Sequence, residues 1–163
     1  LWDELFAKGK ELNVRAGCPN LIERIESGLL SFGGDMGYDT TPFECGLDQY
    51  VSLEADIESL SIDALRTRKS KTKLIGIVID RKVNLIDKRV FIGSNVVGKI
   101  TSDTWSPRYS AFLAFARCEL KHLEDAQNLH VKTTSGEVSA RITDLPFDFE
   151  TLGLTGIEEG TNI

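Results

Sequence analysis

Three carboxylates and one arginine crowd a short stretch of the chain: Arg24, Glu26, Asp35 and Glu44. A carboxylate accepts two hydrogen bonds side by side, so Glu26 on a helix would suit a ligand edge carrying N–H donors. The competing reading makes Arg24 and Glu26 the solvated face of an amphipathic helix. Asp35 and Glu44 suit the N-termini of helical turns better than acid–base catalysis. Gly28, Gly33 and Gly34 read as turn or close-approach glycines. They form no Gly-x-Gly-x-x-Gly pattern, which removes the usual signal for dinucleotide binding. Further on, Trp105 and Tyr109 fall in a segment, 102–109, that reads as a loop. Aromatic rings there would either close over a ligand or pack.

Other chemistries have less support. Cys18, Cys45 and Cys118 are far apart and make no Cys-x-x-Cys pair, so neither zinc nor dithiol chemistry is indicated. They read as small buried hydrophobes in a reducing cytosol, and a cytoplasmic location is expected. His122 and His130 lack a partner at a diagnostic spacing. The net charge of −6 argues against binding a nucleic-acid backbone. The basic run from Arg66 to Lys73 reads as a solvated helix end and loop, with an anionic ligand tail as the lesser alternative. No apolar run approaches the ~20 residues of a membrane helix, and no secretion signal is evident. The chain opens on Leu1, inside what reads as a helix already under way, so a fragment of a longer protein is expected.

The elements that must position these residues fall into two groups. Leu1, Leu5, Phe6 and Leu12 mark an amphipathic helix over residues 1–13. Asn20 is the expected N-cap of a second helix carrying Leu21, Ile22, Ile25 and Leu29. Pro42 follows Thr41 at the start of a short turn, and a third helix is expected over 56–69 with Ser61 as a cap. After the basic loop the pattern changes to strands. Residues 74–79 form a β-branched apolar run. Segments 89–92 and 96–101 flank the turn residues Gly93-Ser94-Asn95, and further strands are expected at 111–117, 128–134 and 137–145. The last two are separated by Thr134-Ser135-Gly136. Short strands with regular turns predict a small antiparallel barrel or sandwich. The expected division is 1–70, 71–147 and a poorly ordered tail over 148–163, giving an α+β chain.

Arg24-Ile25-Glu26-Ser27-Gly28, Phe32-Gly33-Gly34-Asp35 and Thr41-Pro42-Phe43-Glu44 resemble the Arg-x-Glu-x-Gly, Tyr-Gly-x-Asp and Thr-Pro-x-Glu motifs of the glycine-cleavage T-protein family. Gly98-Lys99-Ile100-Thr101-Ser102 and Ser106-Pro107 resemble its Gly-x-Val-Thr-Ser and Ser-Pro motifs, in the same order. Residues 29–33, 42–48 and 106–108 look closer to the dimethylsulfoniopropionate demethylase branch.

The resemblance implies the end of an α/β folate-binding region followed by a C-terminal barrel, within a three-domain ring around the folate. It implies tetrahydrofolate as cofactor and a small methyl or aminomethyl donor as substrate. The missing N-terminal part of a parent chain becomes the structural partner; no nucleic acid or membrane is implied. Glu26 takes the place of the family's folate-contacting glutamate, with Arg24 and the ring of Phe32 beside it and Trp105 as a further contact. The family's catalytic aspartate has no counterpart here, so no catalytic residue is assigned. A basic residue near 50–55 and a tyrosine after Phe147 are also absent, which implies altered folate binding. The alternative is a folate-binding or protein-interaction module of the same fold without transfer chemistry.

Overall fold

The computed structural model describes residues 1–15, 17, 20–54, 58–123, 128–150 and 152–153. Helix α1, Trp2–Gly9, runs into a 3-10 turn at Lys10–Leu12. Its apolar side chains Leu1, Trp2 and Leu5 are largely exposed.

Helix α2, Leu21–Glu26, starts as the sequence leads one to expect. The Asn20 side chain accepts the Glu23 N–H at 2.9 Å, and the Glu23 carboxylate accepts the Asn20 N–H at 3.2 Å. This reciprocal box satisfies two of the donors that a helix start leaves free. The helix stops at Ser27-Gly28, where Gly28 takes φ +70° and a Cβ would lie 3.2 Å from Pro146 Cα. Glycine therefore suits both the left-handed turn and the close approach.

Two 3-10 turns follow, Phe43–Cys45 and Asp48–Tyr50, then helix α3, Ile62–Thr67. Helix α3 is shorter than the expected 56–69. Ser61 occupies the cap position, but its side chain makes no capping bond; Asp56 and Ile57 lie outside the described residues. Arg68 instead leaves the helix and donates to Asp39 O at 2.6 Å.

Seven strands complete the fold: β1 Thr72–Ile79, β2 Leu85–Ile92, β3 Asn95–Ser106, β4 Ala111–Glu119, β5 Leu129–Thr133, β6 Gly136–Ser139 and β7 Arg141–Thr143. They form one sheet ordered β6-β5-β2-β3-β4-β1-β7, with every pair antiparallel. The edge strands β6 and β7 are separated in sequence only by Ala140, which donates to Leu129 O at 2.8 Å. One extended segment thus pairs with both edges, and the sheet closes into a barrel. The single strand expected over 137–145 is divided at this point because it serves two neighbours. Strands β2 and β3 are also longer than expected, and the presumed loop over 102–109 is strand as far as Ser106.

Alternation along the strands creates two apolar clusters. Ile75, Ile77, Val90, Ile100, Ala116 and Val131 pack inside the barrel with their neighbours. Outside, Leu74, Val78, Leu113 and Phe115 are covered by Ile25 of α2 and by Phe147 and Leu152. Leu152 is 2% exposed, so the beginning of the expected tail is packed against the barrel. Residues 151 and 154–163 lie outside the described part.

Candidate functional site

Helix α2 lies across β3 and is fastened to it at two points. Arg24 Nη2 donates to Ser102 Oγ at 2.8 Å, and Ser106 Oγ donates to Glu26 Oε1 at 2.5 Å. The two serines are four residues apart and share a strand face. Their partners are two residues apart on the helix. The solvated-face reading therefore fails for Glu26, which is 9% exposed.

Asp35 is the centre of the first attachment. It is 1% exposed and forms an ion pair with Arg24 at 2.8 Å. It also accepts Ser31 N–H at 2.9 Å, Thr101 Oγ1 at 2.6 Å and Ser102 Oγ at 2.7 Å. Neighbouring strand residues ordinarily face opposite ways. Here a shift of register between Ile100 and Ser102 inserts Thr101, and both hydroxyls reach the same carboxylate. Burial would raise the Asp35 pKa, but hydrogen bonds from Thr101, Ser102, Ser31 and Arg24 outweigh it and hold the value below the ordinary one. Asp35 therefore ties two elements together rather than capping a turn. Arg117 of β4 adds a hydrogen bond to the Asp35 carbonyl, while its Nη1 is enclosed without a partner among the described residues.

Glu44 does cap its turn. Its Oε2 accepts the Thr41 N–H at 3.0 Å, and its N–H donates to Thr41 Oγ1 at 3.3 Å. Oε1 accepts from Lys71 N–H and Thr72 Oγ1, fastening the turn to the start of β1. Burial alone would raise its pKa; these hydrogen bonds lower it to about 2.

Glu26 has a different frame. Ser106 Oγ also accepts the Tyr109 N–H at 3.1 Å, Tyr109 Oη donates to Phe147 O at 3.1 Å, and Phe147 N–H donates to Glu26 O at 3.2 Å. The circuit fixes the backbone and one carboxylate oxygen of Glu26. The other oxygen has no protein hydrogen bond among the described residues. Such an oxygen can accept a hydrogen bond from a ligand donor.

The remaining sequence-selected residues are placed elsewhere. Phe32 is 59% exposed, and its ring stands edge-on to Tyr38 at 5.0 Å. Trp105 is opposite Phe112 on β3–β4 and packs on the interior cluster, the face opposite Ser106. Arg24 and Glu26 are thus brought together on one strand face, whereas Trp105 is on the other. Asp35, Thr101 and Ser106 were missed as a site. The serines at 102 and 106 carried a signal once their segment is known to be strand.

Next to the helix end is a cleft of about 700 Å³, lined among others by Ser27, Leu30, Tyr50, Lys73, Asp144 and Pro146. None of Arg24, Glu26, Phe32 and Trp105 lines it. Cys45 and Cys118 are buried free thiols, and burial pushes Cys118 up to about 11; Cys18 lies outside the described residues. Among the described residues, no cluster of His, Cys, Asp and Glu could hold a metal, and no helix is long and apolar enough to cross a membrane.

Residues 72–148 match the family described as the glycine cleavage T-protein C-terminal barrel domain. The chain is 34% identical to a dimethylsulfoniopropionate demethylase of Ruegeria pomeroyi over 139 residues, covering 83% of this chain and 38% of that one. The chain belongs to the glycine-cleavage T-protein family. An aminomethyltransferase of Listeria welshimeri is 32% identical over 76% of this chain and 35% of its own. The motif resemblance, including its lean to the demethylase branch, holds in these comparisons. A solved aminomethyltransferase T from Bartonella henselae has the same fold at a TM-score of 0.62 and 17% identity, covering 78% of this chain and 37% of the other. The chain spans well under half the length of these curated relatives.

Proposed function

We propose that the chain is the C-terminal part of a tetrahydrofolate-dependent transferase of methyl or aminomethyl groups. Residues 1–70 would complete the folate-binding region and 71–147 would form the closing barrel. The observation that carries this reading is the Glu26 carboxylate, framed through Ser106 and Phe147 with one oxygen left to a ligand. The similarity to a demethylase and to aminomethyltransferases supports the reaction class. Bound tetrahydrofolate would supply the nitrogen that accepts the one-carbon unit. Glu26 would accept hydrogen bonds from the pterin edge. Arg24, already engaged with Asp35, Ser102 and Leu29 O, would hold the helix that presents Glu26. Positioning of this kind lowers the barrier by fixing the reactants before reaction. No residue of this chain is assigned to proton transfer or nucleophilic attack. The methyl or aminomethyl donor would be held largely by the rest of the parent protein.

Tetrahydrofolate titration by calorimetry tests the reading. Glu26→Gln puts an amide donor where a carboxylate oxygen accepted, and should weaken binding by about 1.5–3 kcal/mol, roughly ten- to a hundredfold. Unchanged affinity would reduce Glu26 to a helix clamp. Glu26 is buried, so the variant is also expected to lose about 1 kcal/mol of stability; a thermal melt separates the two effects.

A further inference from the structure

We propose that Ser106 is the positioning residue for Glu26, selecting which carboxylate oxygen is presented to ligand; the inference rests on the Glu26 reading above. Ser106 is 0% exposed, and its Oγ accepts the Tyr109 N–H at 3.1 Å while donating to Glu26 Oε1 at 2.5 Å. The amide takes up one lone pair of the hydroxyl oxygen and leaves its proton directed at the carboxylate. Glu26 is the last residue of a six-residue helix, too short to hold a side chain still by its own hydrogen bonds. The opposing strand supplies the rigidity. The Glu26 carbonyl is meanwhile held by the Phe147 N–H at 3.2 Å, and Phe147 O by the Tyr109 hydroxyl. Main chain and side chain are therefore fixed from the same corner of the barrel, where β3 turns into β4. A carboxylate fixed in this way pays little ordering entropy when a donor edge arrives.

The experiment is tetrahydrofolate titration of the wild-type chain, Ser106→Ala, Ser106→Thr, Glu26→Gln and the Ser106→Ala/Glu26→Gln double variant, with a thermal melt of each. Ser106→Ala should bind about five- to tenfold more weakly, and Ser106→Thr within about twofold of wild type. The double variant should bind no more weakly than Glu26→Gln alone, because Ser106 acts only through Glu26. Wild-type affinity in Ser106→Ala, or losses that multiply independently in the double variant, would overturn the proposal. Where Ser106→Ala fails to fold, Ser106→Cys replaces it: the thiol keeps much of the volume but donates weakly. A folded cysteine variant with reduced affinity supports the assignment; one with wild-type affinity refutes it. Wild-type affinity in Glu26→Gln would instead bring down the underlying reading.

Discussion

Inside the barrel, Ile77, Val90, Ile100, Leu129 and Val131 meet as a buried apolar cluster. On the outer face of β3 and β4, the covering segment 20–54 is held differently. There Asp35 gathers Arg24, Thr101 and Ser102, and Glu44 gathers Thr41, Lys71 and Thr72. Ile25 and Phe115 still contribute apolar contact between the layers. The barrel gains from removing apolar area from water, a force without strong direction. The covering layer also depends on hydrogen bonds whose geometry fixes the helix on its strand. Rigidity of placement is what the role proposed for Glu26 requires, and the charged layer is where Glu26 sits.

The strongest challenge to this contrast is Asp35→Ala. It strands Arg24 beside two hydroxyls and should cost about 3–5 kcal/mol in urea unfolding. Ile100→Ala inside the barrel should cost a similar or smaller amount, about 2–5 kcal/mol. The two should differ in acid: the Ile100 loss should not change with pH, while the Asp35 loss should hold from pH 7 down to about 3.8 and shrink only below it, as the wild-type carboxylate protonates. Equal acid sensitivity of the two would erase the distinction.

Acid alone gives the next effect. Glu44 has a folded-state pKa of about 2 against an ordinary 4.5, so its contribution is present above about 4.5 and disappears as pH falls toward 2. Asp35 is lowered as well and adds in the same direction. The Glu44 part is on the order of 3 kcal/mol. Stability measured between pH 5 and 2 should therefore fall, and Glu44→Gln should flatten that fall.

The smallest effects compare two helix starts. Asn20→Ala removes a formed capping box and should cost about 1 kcal/mol. Ser61→Ala removes no capping bond and should stay within about 0.5 kcal/mol. Equal losses in thermal melts would show that cap geometry does not distinguish α2 from α3.

The parts legible in the sequence were those specified by near neighbours. Asn20 and Glu23 are three residues apart and form their box within one turn. The β-branched run in 74–79 predicts a buried strand because few other environments suit it. Barrel class followed from such runs and their turns. Ser102 to Ser106 was misread because Ser, Asp and Thr in succession have the composition of a loop. The hydroxyls of Thr101, Ser102 and Ser106 are satisfied by Asp35 and Glu26, more than sixty positions away, and no local pattern reports such partners. The same distance concealed Asp35. The motif resemblance singled out Glu26, but not its burial or its serine.

The segment that pairs with both edges has a consequence for a chain emerging from the ribosome. Strands β1 to β5 are all synthesised before the residues that join their outer margins. Until Thr143 has left the exit tunnel, the growing sheet has two open margins, each offering unpaired amides and carbonyls to any other extended chain. A polypeptide halted after Thr133 would retain most of the apolar interior, yet remain an adhesive sheet. Ten further residues convert it into a closed surface, so the last short strands guard the whole molecule against self-association.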